Sequence, residues 1–312
     1  MHWSELIFGV IASIGLFIHS LEHFSAKLKD RAGNRIKASV NKFSSNRISG
    51  LILGIAATAI IQSSSAVISI VVSFVDSEVL SFANTLPIIL GANIGTTLTA
   101  WLVSMDIAYL GIILVSIGFI LGYFPGKMKF YSKPIFYLGL ILFSLKLIGG
   151  TLEPLNTSET TKEFLMYASN PFLGVLLGMI ISTITQSSSV TVGLAIILAG
   201  QGILDLNSAI GILVGANLGT TSTAFIAAIK LNQVAQKTAL LNLLVNIFGV
   251  LIYLPLHKIY SEMIASIDAS IAIQVAYAHL IFNVSLAILL LPFSKSVTKF
   301  VDSHFWKSSH SN

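Results

Sequence analysis

Two copies of the tetrapeptide Gln-Ser-Ser-Ser lie within strongly apolar stretches of the chain. The first copy begins at Gln62, and the second begins 124 positions later, at Gln186. An amide and three hydroxyls are costly to bury in such surroundings unless they find partners there. Because hydroxyl and amide groups both donate and accept hydrogen bonds, they suit an oxyanion, and their oxygens suit a weakly held alkali cation. The motifs therefore predict an ion-binding site formed by Gln62, Ser63, Ser64, Ser65, Gln186, Ser187, Ser188 and Ser189.

A second polar motif repeats with the same spacing. Residues 91–97 read Gly-Ala-Asn-Ile-Gly-Thr-Thr, and residues 215–221 read Gly-Ala-Asn-Leu-Gly-Thr-Thr. Two polar clusters repeated in register indicate a duplicated structural unit. The hydroxyls of this second motif extend the neutral, adaptable site, to which we assign Thr96, Thr97, Thr220 and Thr221. The alternative is that these small polar residues only hydrogen-bond one helix to another.

The composition of the chain is that of a membrane protein. Of its 312 residues, 54% are hydrophobic and 10% are charged, and the mean hydropathy is +0.87. A soluble domain carries about 25% charged residues, so lipid is the expected surrounding. The net charge of +5 does not indicate nucleic acid, because the basic residues fall in short loops. The absence of cysteine excludes disulfides, thiolate metal sites and cysteine nucleophiles.

The apolar segments predict an all-α polytopic membrane protein with a single transport domain over residues 1–312. Most segments approach the roughly 20 residues that cross a bilayer. The two that contain Gln-Ser-Ser-Ser, 48–75 and 172–200, are longer and carry polar residues at their centres, which predicts two half-helices joined by a break, as in a re-entrant hairpin. The other predicted segments are 3–20, 84–103, 108–124, 134–150, 206–229, 238–256 and 269–292.

Loop charges favour re-entrant hairpins over full crossings. With hairpins, the basic clusters at 27–47, 127–133, 230–237 and 295–307 fall on one side, which the positive-inside bias makes cytoplasmic together with the C-terminus. The loops 151–171 and 257–268 then lie outside. Three crossings and one hairpin make repeat one (about 6–125), and the odd number of crossings inverts repeat two (about 130–256). The helix at 269–292 is an addition to the repeats. Inverted repeats are typical of transporters that open one central site alternately to either side.

The doubled Gln-Ser-Ser-Ser motif, each copy followed by Gly-Ala-Asn-(Ile/Leu)-Gly-Thr-Thr, resembles the type II sodium/phosphate cotransporter family over essentially the whole chain. The resemblance implies symport of inorganic phosphate with Na+ in a cytoplasmic (inner) membrane, with Na+ as the coupling ion and no other cofactor. It also implies that Asn93 and Asn217 line the site with the threonines. Many bacterial relatives add a PhoU-like regulatory domain that these 312 residues do not contain, so a separate PhoU-like regulator is a candidate partner.

Other readings of the same residues stay open at this stage. The solute could be another small oxyanion, the coupling ion could be a proton, or the protein could be a membrane scaffold without transport. An enzyme is disfavoured, because no metal-ligand cluster, phosphate loop or nucleophile–base pair is present in the apolar segments. Glu22 and Lys146, at equivalent positions of the two repeats, are expected to reach the membrane interface. The secondary candidates for a gate, with helix packing as the alternative, are Asn242, Asn246, His279 and Asn283.

Overall fold

The protein is an assembly of α-helices, seen in a computed structural model. The structure describes the backbone of residues 3–43, 46–105, 108–152 and 170–305, and the side chains of 4–28, 46–105, 109–126, 128–152 and 170–305. No strand occurs in these ranges. Six helical stretches are long and apolar enough to cross a membrane, which confirms a multi-pass membrane protein: Ser4–Leu28, Phe82–Ser104, Met128–Leu152, Leu206–Ala228, Gln233–Ala265 and Ile271–His304.

Thirteen α-helices are numbered here in chain order within the described ranges. The first six are α1 Trp3–Phe43, α2 Arg47–Ile61, α3 Ser64–Asp76, α4 Thr85–Ser104, α5 Ala108–Leu121 and α6 Lys127–Leu152. The remaining seven are α7 Pro171–Thr185, α8 Ser188–Gly200, α9 Leu206–Gly219, α10 Thr221–Ala228, α11 Gln233–Ala265, α12 Ile271–Leu290 and α13 Ser294–His304. Short 3-10 turns at Phe82–Asn84 and Leu291–Phe293 precede α4 and follow α12.

Polar residues at the helix starts explain where several helices begin. The side chains of Asn46, Asn170, Asp205 and Asn232 each accept a hydrogen bond from a backbone N–H in the first turn of the helix that follows. Such caps satisfy amides that have no partner within the helix. In chain order these four capping residues precede α2, α7, α9 and α11. Single polar residues therefore mark where helices begin in a chain that is largely apolar.

Close packing against glycine fixes the direction of α2 relative to α4. A Cβ at Gly50 would lie 3.2 Å from Pro87, a Cβ at Gly54 would lie 2.8 Å from the Ala92 nitrogen, and a Cβ at Gly95 would lie 2.7 Å from the Ile55 carbonyl oxygen. Higher residue numbers on α2 contact higher residue numbers on α4, so the two helices run parallel. Since α3 lies between them in the chain, it must return the chain to the level at which α2 began. Helices α2 and α3 therefore form a helical hairpin.

The second half of the chain repeats this arrangement. A Cβ at Gly211 would lie 3.2 Å from Gly174, and a Cβ at Gly219 would lie 2.9 Å from the Ser182 side chain. Helix α7 therefore runs parallel to α9, and α7 and α8 form a second helical hairpin. Each of the two long predicted segments is thus a pair of helices.

Polar contacts tie several helix ends together at one end of the molecule. Arg47, at the start of α2, donates to the Pro292 carbonyl oxygen at 2.7 Å, just beyond α12. Lys237, in the second turn of α11, is buried and contacts Asp302 of α13 at 2.6 Å. Three basic-cluster regions of the sequence, those near 47, 237 and 295–304, therefore meet at this end.

Several predicted segments differ from the helices. Helix α1 continues past residue 20 as far as Phe43, and α11 continues through Pro255 as far as Ala265, so the predicted loop 257–268 is wrong for most of its length. Helix α5 has only 14 residues and is not among the six membrane-length stretches. The predicted span 206–229 is divided at Thr220 into α9 and α10. Most of the predicted outer loop 151–171 lies outside the described residues.

Candidate functional site

The tips of the two hairpins have the same backbone geometry. Gln62 and Gln186 end α2 and α7 in the left-handed region, with φ of 59° and 52°. Ser63 and Ser187 follow in extended conformation, and their hydroxyls accept hydrogen bonds from the N–H groups of Ala66 and Val190 at 3.2 and 3.3 Å. Each Gln-Ser pair therefore turns the chain and caps the returning helix.

The two tips line one cavity of about 520 Å³. Helix α1 contributes a third wall, and Thr223 of α10 also lines the cavity. The polar residues on its surface are Glu22, Ser25, Gln62, Ser63, Ser65, Thr185, Gln186, Ser187 and Thr223. Because a water molecule occupies about 30 Å³ of liquid, the cavity can hold small hydrated ions.

The groups at the cavity suit an anion and a cation together. Helices α3 and α8 both begin at its wall, and the N-terminus of a helix attracts anions through its free amides and its dipole. Serine, threonine and glutamine side chains supply both donors and acceptor oxygens. The site can thus donate hydrogen bonds to an oxyanion and offer oxygen ligands to an alkali cation nearby.

The two glutamines differ in their surroundings. Gln62 is buried, and its Oε1 accepts a hydrogen bond from the Thr99 hydroxyl of α4 at 2.9 Å. Gln186 is exposed. Thr223 is the repeat counterpart of Thr99, and its buried hydroxyl has no hydrogen-bond partner among the described residues. The second half of the site therefore lacks the glutamine–threonine bond that fixes the first half.

Comparison with known proteins identifies the family. The sequence pattern described as Na+/Pi-cotransporter matches residues 16–150 and again residues 142–273. The chain belongs to the Na+/Pi-cotransporter family. This is a family of transporters, and the double match follows the duplication visible in the sequence.

Relatives in this family include bacterial and animal proteins. The chain is 30% identical to YqeW of Bacillus subtilis over 92% of its own length and 94% of that protein. It is 30% identical to YjbB of Escherichia coli, provisionally named an inorganic phosphate export protein, over 86% of the chain but only 50% of YjbB. It is 37% identical to mouse sodium-dependent phosphate transport protein 2A over 31% of the chain and 15% of that protein. No solved structure matches the chain at a significant level.

The other predicted site residues of this Na+/Pi-cotransporter family member lie behind the cavity surface. Ser64, Ser188 and Ser189 are buried in the first turns of α3 and α8. The four motif threonines bond carbonyl oxygens three or four residues earlier in the chain: Thr96 to Ala92, Thr97 to Ile94, Thr220 to Ala216 and Asn217, and Thr221 to Leu218. In this conformation their hydroxyls bond within α4 and at the junction of α9 and α10. Their assignment to ion binding stays a prediction.

The predicted asparagines and the histidine lie on α4, α9, α11 and α12, away from the cavity surface. Asn217 of α9 donates to the Oδ1 of Asn283 at 3.3 Å, and Asn283 donates to the His279 carbonyl oxygen at 2.8 Å. In α11, Asn246 donates to the Asn242 carbonyl oxygen at 2.8 Å. Asn93 is partly buried, and its amide nitrogen has no partner in the described ranges. None of these six residues lines the hairpin cavity.

Sequence reasoning did not place Glu22, Ser25 and Thr185 at the site. The structure puts Glu22 on the cavity wall, where the sequence predicted a side chain reaching for the membrane interface. The available signal was helical spacing, because Ile18, Glu22 and Ser25 share one face of α1. Asp106, the acidic residue that follows the first Gly-Asn-Thr motif, lies outside the described residues.

Proposed function

We propose that the protein is a sodium-coupled symporter that imports inorganic phosphate across the cytoplasmic membrane by alternating access. Both ions bind in the cavity between the hairpin tips. The observation that carries the proposal is the convergence of two duplicated Gln-Ser tips and two helix N-termini on one cavity. Membership of the Na+/Pi-cotransporter family supports phosphate and Na+ as its substrates.

The arrangement of the hairpins supports inverted repeats. Thr223 lies at the cavity with the start of α3, and Asn232, just beyond α10, donates its backbone N–H to the Asp76 carboxylate at the end of α3 at 2.8 Å. Helices α3 and α10 therefore run in the same direction. Helix α10 continues α9, which is parallel to α7, so α3 and α7 also run in the same direction. Because α2 is antiparallel to α3, the first helices of the two hairpins, α2 and α7, run in opposite directions. The two hairpins therefore enter the molecule from opposite ends. That geometry suits a re-entrant hairpin from each side of the membrane.

The contacts at one molecular end support the proposed orientation. Arg47, Lys237 and α13 meet there, and the positive-inside bias makes that end, including the C-terminus, cytoplasmic. The hairpin cavity lies toward that end of α1, since residues 18–26 line it and the basic segment 27–47 follows. In that orientation, the cavity of this conformation lies nearer the cytoplasmic end of α1.

The proposal is tested by phosphate uptake into proteoliposomes of the purified protein. Radiolabelled phosphate is followed under an inward sodium gradient and under an equal potassium gradient. Uptake with sodium alone is the expected result. Equal uptake under both gradients would contradict sodium coupling, and no uptake under either would contradict phosphate symport.

The name of the Escherichia coli relative favours a second candidate, export of phosphate. An exporter would release phosphate from loaded vesicles without an inward sodium gradient. Measuring efflux from the same proteoliposomes, loaded with labelled phosphate and free of sodium, separates the two. Rapid sodium-independent efflux would favour export.

A further inference from the structure

The hairpin cavity contains one carboxylate. The wall contributed by α1 is formed by residues at positions 18, 21, 22, 25 and 26, a spacing that places them on one helical face. Glu22 is the ionisable side chain among the described residues that line the cavity, whose other polar groups are hydroxyls and amides. The charge of the described cavity surface is therefore set by this residue.

Within the described part of the chain, the Glu22 carboxylate has no ion pair. The ion pair between Lys237 and Asp302 joins α11 to α13, and neither residue lines the cavity. An acidic side chain in a membrane-spanning segment is rare, and such residues mark ion pathways. Glu22 lies within the span Ser4–Leu28, and its side chain is exposed at the cavity, where it is accessible to a cation.

The repeat shows that the fold does not require a carboxylate at this position. The equivalent residue of the second half, 124 positions later, is Lys146. Its ammonium lies 5.0 Å from the Tyr109 ring centroid. Lys146 lines a different cavity of about 1110 Å³, with residues near the end of α8 such as Gln201. Because opposite charges occupy equivalent positions of the two repeats, the fold that the repeats share does not explain why position 22 carries an acid.

We propose that Glu22 is a sodium ligand, and that it holds Na+ together with hydroxyl oxygens of the hairpin cavity. Carboxylate and hydroxyl oxygens are hard ligands suited to such a cation. Bound Na+ neutralises the carboxylate, so phosphate can bind beside it. Without Na+, the carboxylate repels phosphate from the same cavity. This inference rests on the proposed function. It identifies Glu22 as the residue that makes phosphate binding depend on sodium.

The test measures binding of radioactive sodium to the purified protein in detergent, without phosphate, at constant ionic strength maintained with choline. The variants are Glu22→Gln, the shorter acid Glu22→Asp, and the control Glu5→Gln, which removes an exposed carboxylate from α1 outside the cavity. We expect Glu22→Gln to raise the half-saturating sodium concentration by about 10-fold or more, equivalent to about 1.4 kcal/mol. Glu22→Asp should have a smaller effect, and Glu5→Gln none.

A second readout separates a ligand from a structural residue. In the absence of sodium, Glu22→Gln should bind labelled phosphate more readily than the wild type does, because the repelling charge is gone. A residue that only stabilises the fold would lower uptake at every sodium concentration equally, and the half-saturating sodium concentration would stay at the wild-type value in both Glu22→Gln and Glu22→Asp.

The outcomes distinguish this inference from the function on which it rests. If wild-type uptake requires sodium but Glu22→Gln binds sodium with wild-type affinity, Glu22 is not a ligand, and the symporter stands. If the wild type neither binds sodium nor requires it for uptake, both are overturned. If Glu22→Gln does not fold, Glu22→Asp decides, since a sodium affinity unchanged from wild type in that folded variant would overturn the inference.

Discussion

At the scale of single residues, the two glutamines of the hairpin tips share a backbone conformation and differ in what holds them. Gln62 is fixed by the Thr99 hydroxyl, whereas Gln186 is exposed and its counterpart Thr223 is unpaired within the described ranges. A hydrogen bond between neutral groups contributes about 0.5–1.5 kcal/mol net. The Thr99–Gln62 bond is therefore strong enough to orient one amide of the site without locking it.

The first prediction concerns this bond. Thr99→Val keeps the shape of the side chain but removes its hydroxyl, and we expect apparent phosphate affinity to fall by a factor of roughly 2 to 10. The control is Thr85→Val in the same helix, whose buried hydroxyl bonds the Phe82 carbonyl oxygen at 2.8 Å, away from the tips. Uptake measured over a range of phosphate concentrations checks this. An equal loss in both variants would show that Thr99 does not act through Gln62.

At the scale of helices, glycine contacts hold each hairpin against the helix that carries the Gly-Ala-Asn motif. Gly91 and Gly215 pack directly on the carbonyl oxygens of Leu51 and Val175, where an added Cβ would collide with the backbone. Small residues that let helix backbones approach closely are typical of membrane interfaces. The repeated glycines of the sequence therefore position the hairpin tips.

The second prediction follows from this packing. Gly215→Ala forces α7 and α9 apart, and overpacking of this kind costs about 1–3 kcal/mol. We expect a lower Tm for the purified protein. Gly15→Ala, where an added Cβ meets nothing within 4 Å, is the matched control and should leave the Tm unchanged or raise it slightly. A Tm for Gly215→Ala equal to that of the control would contradict the packing.

Helix boundaries also show which parts of the fold the sequence could predict. The helical type of the elements and the division of the two long segments follow from apolar length and from the polar breaks at Gln62 and Gln186. The ends do not follow, because α11 passes Pro255 where neighbouring helices tolerate it, and α1 continues into a charged stretch. Helix α13 was not predicted, because it is amphipathic and is not an apolar segment. It packs through tertiary contacts such as the one between Asp302 and Lys237.

At the scale of the whole molecule, the duplicated halves bring residues 124 positions apart to one cavity. The tip residues were predictable because polar groups are costly to bury in apolar segments unless they find partners there. The contribution of α1 was not, because Glu22 reaches the cavity only through the packing of α1 beside the hairpins. The opposed hairpins proposed above, with a shared site, are typical of transporters that work by alternating access.

The third prediction tests the opposed directions of the hairpins. The chain has no cysteine, so a single introduced thiol reports its own side of the membrane. Ser81→Cys, after the first hairpin, and Asn207→Cys, after the second, are both at exposed positions. In intact cells, a membrane-impermeant thiol reagent should label Asn207→Cys and spare Ser81→Cys until the cells are lysed. Labelling of both, or of neither, in intact cells would contradict inverted repeats.

The most direct test of a shared ion site at the tips is sodium-driven phosphate uptake by Gln186→Ala. This side chain is exposed, so its removal should not disturb folding, and Asn207→Ala provides an exposed control away from the cavity. We predict that Gln186→Ala loses most sodium-dependent uptake in proteoliposomes while the control retains wild-type uptake. Wild-type uptake by Gln186→Ala, at limiting phosphate and sodium, would show that the hairpin cavity is not the transport site.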